Sequence, residues 1–255
     1  MSSIAEKFDL IYQHYGFGHY PETRSGHGSL LESTVKIREG IVKLILQKNI
    51  KSLTDFPCGD FNWIKEIVHY FDRYVGCDIS KTCIEDNKKK YPKFDFRCLN
   101  LIEDEIPENE LLLVRDVLGH LPLQEGKKII DNIINSNIKY LLTTTFVKKT
   151  REGWESVKED ELPRMNENLN DYGLFYPINL MEPPFNFPLA EHYIEEDVEV
   201  INYHNGVRKA LGFWSLDKLR KQENTDEKGE SLEKLLNIIK TSNNPIFINH
   251  LTVNL

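Results

Sequence analysis

The stretch that decides the fold is Ser-Leu-Thr-Asp-Phe-Pro-Cys-Gly-Asp-Phe-Asn-Trp, residues 52–63. A short apolar run ends in an acidic residue, and a tight Pro-Cys-Gly turn follows it. Nineteen residues after Gly59, a second apolar run ends in Asp78. This succession predicts a strand, a glycine turn, a helix and a strand with a terminal acid, which together form a mononucleotide-binding half. In such a unit the turn allows close backbone approach, and the acid accepts hydrogen bonds from a ribose diol.

The turn after the first strand carries one glycine where dinucleotide-binding turns carry three. The other two places hold Pro57 and Phe61. Glycines in this turn serve tight bending, close approach to a pyrophosphate and helix packing. We therefore do not expect an NAD site here.

Strand-like and helix-like patterns alternate around this unit, which predicts an open parallel sheet. The predicted strands are residues 52–56, 73–77, 93–100, 111–117, 140–146, 198–203, 210–215 and 247–253. The predicted helices are residues 30–48, 63–71, 81–90 and 124–135. The expected fold class is α/β, a Rossmann-like seven-stranded, mostly parallel sheet with helices on both faces. In such sheets ligands lie outside the carboxyl ends of the strands.

Three segments stand apart within what we predict to be one domain over residues 1–255. Residues 1–50 hold a Tyr-, His- and Gly-rich stretch and a helix, and we expect them to form a lid. Residues 1–28 contain too many glycines for a stable helix throughout. Residues 147–191 are rich in Pro, Asn and aromatic residues and are expected to cover a substrate after strand five. Residues 219–255 form an appended element.

Composition and charge narrow the classes of protein. The 255 residues carry a net charge of -8, which argues against sequence-independent nucleic-acid binding. No apolar run is long enough to span a bilayer, and the N-terminus lacks the layout of a signal peptide, so we expect a cytoplasmic location and no membrane partner. The four cysteines show no metal-type spacing, and the histidines of residues 14–27 match no standard zinc pattern, so no metal is expected.

Strand four ends in Arg115 and Asp116, followed by His120. His120 is either a general base or a histidine at the edge of the core, and the sequence leaves both open. A cation at the end of a buried strand needs an anion. For Arg115 that anion is an internal carboxylate, such as Asp116 or Asp60, or a group of the substrate.

The assembled motifs resemble those of class I S-adenosylmethionine (SAM) dependent methyltransferases. Within this class, the sequence resembles a bacterial group whose members occur with capsule and surface-polysaccharide genes. The similarity covers roughly residues 10–220. It rests on the motifs at Arg24–Ser29, Asp55–Trp63, Arg115–Leu121, Leu141–Phe146, Pro177–Phe185 and Leu211–Trp214. Glu182-Pro183-Pro184-Phe185 also resembles the motif of nucleobase amino-methyltransferases, but it follows strand five rather than strand four. We therefore expect it to belong to the covering loop.

The resemblance implies SAM as the cofactor and a set of site residues. The cofactor-binding candidates are Ser25, Ser29, Asp55, Pro57, Gly59, Asn62, Trp63, Asp78, Ile79, Asn100, Leu101 and Arg115. The catalytic candidates are Arg115, Asp116 and His120. The substrate-binding candidates are Tyr15, His19, Arg24, His27, Thr144 and Asn179.

The resemblance also bears on the methyl acceptor, because some members of the group are similar to enzymes proposed to make the O-methyl phosphoramidate modification of bacterial capsules. This implies O-methylation of a small anionic, nucleotide-linked or glycan-precursor acceptor. A sugar hydroxyl needs a base such as His120, whereas an anionic oxygen needs cations such as Arg24 and Arg115. The alternatives are a methyltransferase acting on nucleic acid or protein, and a SAM-binding regulatory protein without catalysis. The sequence leaves the oligomeric state open.

Overall fold

The computed structural model of the 255-residue chain describes residues 3–158, 160–162, 164–166, 172, 175–196 and 206–221. The chain divides into two compact units, Met1–Leu216 and Asp217–Leu255. Almost all of the described residues belong to the first unit.

The first unit contains a mixed sheet. Its strands are β1 (Ser52–Asp55), β2 (Arg73–Asp78), β3 (Asp95–Cys98), β4 (Leu111–Val114), β5 (Tyr140–Lys149), β6 (Trp154–Glu155), β7 (His192–Glu195) and β8 (Val207–Ser215). Seven of them lie in the order β3-β2-β1-β4-β5-β8-β7, and β6 pairs with β5. The first five strands in this order are parallel to one another, β8 is antiparallel to β5, and β7 is antiparallel to β8. This confirms the predicted α/β class with a mostly parallel sheet.

The α-helices of the first unit are α1 (Ile4–Gln13), α2 (Val35–Lys48), α3 (Lys81–Lys90) and α4 (Leu123–Asn135). Residues 216–221 are helical as well. A capping box starts α1, in which the Ser3 hydroxyl accepts from the Glu6 N–H and the Glu6 carboxylate accepts from the Ser3 N–H. Ser80 caps α3 by accepting from the N–H of Cys83. No helix in the described ranges is long and apolar enough to cross a membrane.

The glycine turn after β1 is built on an aromatic core. Phe61 has a φ of 60° and is fully buried. Its ring lies about 5 Å from those of Tyr74, Tyr91, Phe94 and Phe96. An aromatic residue therefore stands at the third glycine place because its side chain fills the core beneath the turn, and this burial stabilises the left-handed backbone.

The predicted helix over residues 63–71 is wrong in type. The structure has two short 3-10 turns there, Ile64–Glu66 and Val68–Tyr70. Most residues of the segment are β-branched or aromatic, and these have low helix propensity. The N-terminal helix α1 was not expected, but it occupies the part of residues 1–28 that lacks glycine.

Other predicted boundaries differ in smaller ways. The helix expected at residues 81–90 matches α3, whereas β4 ends three residues before the predicted end of residues 111–117. Strand β7 was not expected. The strands predicted at residues 198–203 and 247–253 lie outside the described residues.

Candidate functional site

A cavity of about 1340 Å³ opens at the carboxyl ends of β1, β2 and β4. Its walls come from the glycine turn, the ends of these strands, the N-terminal segment and the charged ends of β7 and β8. The predicted site residues that line it are Ser25, His27, Ser29, Pro57, Gly59, Trp63, Asp78, Ile79, Arg115, Asp116 and His120. The volume exceeds the usual range of about 300–1000 Å³ for one small ligand, so a cofactor and a small acceptor fit together.

Gly59 forms the point of closest backbone approach in the cavity wall. Its φ is 51°, and a Cβ atom there would lie 2.4 Å from the Ser25 hydroxyl oxygen. The Gly59 N–H donates to the Asp78 carboxylate at 3.1 Å. Only a residue without a side chain satisfies both the backbone conformation and this contact.

Asp78 ends β2 and faces the cavity. Its carboxylate accepts from the backbone N–H groups of Gly59 at 3.1 Å and Ser80 at 2.9 Å. Burial raises the pKa of Asp78 to about 6, and these backbone donors partly oppose the shift. Such a carboxylate is placed to accept hydrogen bonds from the two hydroxyls of a ribose.

Asp55 lies beneath the turn rather than in the cavity wall. It is 2% exposed and accepts from the Tyr74 hydroxyl at 2.9 Å. Burial raises the pKa of Asp55 to about 7, against the lowering by that hydrogen bond. The side chain is therefore part of the interior that supports the turn.

The residues after the turn connect it with the N-terminal segment and with strand β4. The Asn62 side-chain amide donates to the carbonyl of Ser29 at 3.0 Å. The Trp63 ring lies 5.6 Å from the guanidinium carbon of Arg115. Trp63 is thus in the cavity wall, whereas Asn62 acts from behind it.

Asn100 and Leu101 follow β3 and do not line the cavity. The Asn100 side chain accepts from the N–H of Ile102 at 3.1 Å and donates to Glu103 at 3.0 Å. Leu101 is buried. The role of Asn100 in cofactor binding stays a prediction.

A buried ionic cluster stands at the end of β4. Arg115 donates to both carboxylate oxygens of Glu196, at 2.8 and 3.3 Å, and lies 3.5 Å from Asp116. Burial alone would lower the pKa of Arg115, but the two carboxylates outweigh it and raise the pKa. One of the internal partners is the expected Asp116, whereas Asp60 is bonded elsewhere, to the N-terminal segment.

Lys209 of β8 completes this cluster. Its ammonium lies 2.6 Å from Asp116 and 3.1 Å from Glu196. Burial would raise the pKa of Asp116, but Lys209 and then Arg115 hold it well below its ordinary value. Thr144 accepts from the Asp116 N–H at 3.0 Å and donates to its carboxylate at 3.3 Å. Thr144 therefore acts by orienting Asp116.

Glu196 and Lys209 are not among the site residues predicted from the sequence. Glu196 lies in an acidic stretch and Lys209 beside another cation, and neither belongs to one of the quoted motifs. The sequence contains one indirect signal, which is that a buried Arg115 is costly unless an anion pairs with it. This signal does not indicate which residue is the anion.

His120 lies between two aromatic rings in the cavity wall. The ring centres of Phe17 and Phe175 lie 5.2 and 5.3 Å from that of His120. The imidazole also contributes to the lowered pKa of Asp116. This places a nitrogen base, an ionised carboxylate and apolar walls at one end of the cavity, as acid–base chemistry on a bound acceptor requires.

The N-terminal segment forms part of the cavity wall, and its predicted role as a lid stays a prediction. Phe8, Tyr12 and Phe17 line it, and none of the three was named in advance. Ser25, His27 and Ser29 also line it, and the buried Nδ1 atom of His27 has no hydrogen-bond partner. The segment thus supplies both apolar and polar parts of the wall.

Three substrate candidates in this segment lie outside the cavity wall. Arg24 pairs with Asp86 at 3.6 Å and stands 4.8 Å from the centre of the Tyr15 ring. Tyr15 in turn stacks on His19 at 4.1 Å. In this conformation these side chains bind one another and the surface of α3.

Asn179 belongs to the predicted covering loop and is fully buried. Its amide donates to Ser156 at 3.1 Å and to the carbonyl of Val157 at 2.7 Å, and its oxygen accepts from the N–H of Met181 at 3.0 Å. These bonds fix the loop's own path. No group of three or more His, Cys, Asp or Glu side chains among the described residues is arranged to hold a metal ion.

No protein-family model matches the sequence, and no curated protein matches it. Solved structures do match. The methyltransferase domain of bacterial CtHen1-C aligns with a TM-score of 0.50 at 12% identity, over 73% of this chain and 98% of that domain. Magnesium protoporphyrin IX methyltransferase of Synechocystis PCC 6803 gives 0.46 at 13% identity, over 81% and 91%. The N-methyltransferase NodS of Bradyrhizobium japonicum WM9 gives 0.45 at 12% identity, over 55% and 74%.

The fold assignment rests on the strand order of the sheet and on the similarity to the CtHen1-C domain. The chain has the Rossmann-like fold of class I SAM-dependent methyltransferases. At this identity the likeness carries the fold alone, and the function has to be argued from the site.

Proposed function

We propose that the protein is a SAM-dependent methyltransferase that acts on a small acceptor. The observation that carries the proposal is the Asp78 carboxylate, placed beside the backbone of Gly59 at the carboxyl edge of the sheet. This is where the fold binds nucleosides, and a ribose diol matches a carboxylate acceptor. Because Gly59 has no side chain, the methionine part of the cofactor has room beside its backbone.

The residues of one end of the cavity would bind the cofactor, and those of the other end would act on the acceptor. Asp78, Ile79, Gly59 and Ser25 would hold SAM, which supplies a methyl group on a positively charged sulfur. At the other end, His120 would take the proton of an acceptor hydroxyl or amine. Phe17 and Phe175 would exclude water there. Methyl transfer is mainly a matter of alignment, so the rigid positions of these side chains are the main contribution of the protein.

The acceptor is the finer part of the proposal. Similarity of the sequence motifs supports an anionic or glycan-precursor acceptor, including the phosphoramidate group of bacterial capsules, and with it a cytoplasmic enzyme. The geometry adds a condition. Among the described lining residues, the Arg115, Arg208 and Lys209 side chains are each already paired with a carboxylate. An anionic acceptor therefore has to share these cations with Asp116, Glu195 or Glu196, whereas a neutral hydroxyl needs only His120.

The cofactor test is calorimetric titration of the purified protein with SAM and with S-adenosylhomocysteine. The proposal expects binding of both, lost in Asp78→Ala and weakened in Asp78→Asn, which keeps one acceptor oxygen. Near-UV circular dichroism of the variants controls for folding. Absence of binding by the intact protein would remove the methyltransferase assignment.

The acceptor test measures the rate of S-adenosylhomocysteine formation with two kinds of acceptor. One is a phosphoramidate, which is anionic, and the other is a neutral sugar without a nucleotide. With an anionic acceptor, His120→Ala should lose rate modestly. With a hydroxyl acceptor, it should lose about 100-fold or more while SAM binding stays intact.

A further inference from the structure

Asp60, the residue after Gly59 in the glycine turn, lines the cavity and is bonded to the N-terminal segment. Its carboxylate accepts from the Thr23 hydroxyl at 3.0 Å, the Arg24 N–H at 2.7 Å and the Ser25 hydroxyl at 3.1 Å. The Asp60 N–H donates back to the Ser25 hydroxyl oxygen at 3.0 Å. One side chain of the cofactor turn thus holds three consecutive residues of the segment above it.

The segment held in this way is part of the cavity wall. Ser25, Gly26, His27, Gly28 and Ser29 all line the cavity. A Cβ atom at Gly28 would lie 3.3 Å from an Arg115 nitrogen and 3.4 Å from an Asp116 oxygen. The loop therefore runs from the cofactor turn to the ionic cluster at the acceptor end.

We propose that Asp60 is a positioning residue that fastens residues 23–29 over the bound cofactor, so that cofactor release requires these hydrogen bonds to break. This inference rests on the proposed function. Asp60 is not assigned any contact with the cofactor itself.

Asp60 holds the segment more strongly than the neighbouring ion pair of Arg24 with Asp86 does. Hydrogen bonds to an ionised carboxylate are about twice as strong as neutral ones, and Thr23 is only 3% exposed. The neighbouring attachment, Arg24 to Asp86, is a 3.6 Å ion pair between side chains that are 37% and 45% exposed. Exposed pairs of this kind contribute little.

The experiment measures cofactor release from the full-length protein. Radiolabelled SAM is bound, an excess of unlabelled S-adenosylhomocysteine is added, and the loss of label is followed. Asp60→Asn removes the charge and leaves a single acceptor oxygen where the carboxylate has two, so the three donors can no longer all be satisfied as they are now. We expect the dissociation rate to rise about tenfold or more. Asp86→Asn makes the same charge change at the exposed attachment of the same segment and should stay within about twofold.

A second variant guards against loss of folding in Asp60→Asn. Thr23→Val removes one donor to Asp60 at nearly constant shape and should raise the rate by a smaller factor, about threefold. Equal rates in Asp60→Asn, Thr23→Val and the unmodified protein would overturn the inference while leaving SAM binding intact. If the unmodified protein does not bind SAM, it is the proposed function that fails.

Discussion

Gly59 is the residue at which the local backbone and the candidate site meet. Its positive φ and the nearby Ser25 hydroxyl both exclude a side chain. One glycine is enough in this turn because the place of a second is taken by Phe61, which points into the core instead of toward the cavity.

We predict that Gly59→Ala weakens SAM binding at least tenfold and lowers the free energy of unfolding by about 1–3 kcal/mol. The new methyl group meets Ser25, which carries the covering segment. Gly153→Ala is the matched control, since Gly153 also has a positive φ but nothing within 4 Å of a Cβ atom. Calorimetry and urea unfolding measure the two effects, and equal SAM affinity in both variants would contradict the prediction.

Asp78 predicts a pH dependence of cofactor binding. In the protein without cofactor, burial raises the pKa of the Asp78 carboxyl to about 6. Only the ionised carboxylate can accept hydrogen bonds from both hydroxyls of a ribose. SAM affinity should therefore be constant above about pH 7 and fall up to tenfold per pH unit below pH 6. Titrations between pH 5 and 8 test this, and Asp78→Asn should abolish the dependence. A flat profile in the unmodified protein would show that Asp78 does not take part.

At the scale of elements, β8 and the end of β7 bring Lys209 and Glu196 to the end of β4. The cluster they form with Arg115 and Asp116 is balanced, with two cations and two carboxylates. Burying such a set is costly unless every charge is paired, so each member depends on the others.

We predict that Lys209→Met lowers the free energy of unfolding by about 3 kcal/mol, because Asp116 and Glu196 then share Arg115 alone. Lys149→Met is the control. Lys149 pairs with Glu195 at 2.6 Å, but its side chain is 51% exposed, so its loss should cost under about 1 kcal/mol. Urea unfolding compares the two. A Lys209→Met protein as stable as the control would show that the cluster is not electrostatically coupled.

Elements with clear start and stop signals were predictable, and those without them were not. Helix α3 was placed correctly because Ser80 marks its start and a run of lysines lies in its last turn. The segment of residues 63–71 was misjudged because its apolar spacing fits a helix, whereas its residues favour tighter turns. Strand β7 has no local signal, since His192–Glu195 pairs with β8 through backbone bonds that leave no mark on composition.

For the whole molecule, two buried carboxyl groups at the edge of the sheet predict how stability varies with pH. Burial raises the pKa of Asp55 to about 7 and that of Asp78 to about 6. Groups with a raised folded pKa favour folding while protonated. Their contribution is complete below about pH 4 and is lost as pH rises through 6 to 7.

We predict that Asp55→Asn makes the protein more stable than the unmodified chain at pH 8, on the order of 3 kcal/mol, and less dependent on pH between 5 and 8. The amide oxygen can still accept from the Tyr74 hydroxyl. Urea unfolding at several pH values measures the difference, with Asp95→Asn as an exposed control. Parallel pH profiles would mean that Asp55 is ionised throughout.

The sequence by itself determined the α/β class, the order of most elements, and Gly59 and Asp78 as the centre of the candidate cofactor site. These features depend on the spacing of residues within one short stretch of chain, a strand, a turn and the next strand. Only the tertiary structure decided which charges meet, because Glu196 reaches Arg115 across 81 positions of the chain and Lys209 reaches Asp116 across 93. It also decided that Arg24 faces Asp86 and that Asp60 holds the covering segment, since such pairings depend on how the elements pack and not on their neighbours in sequence.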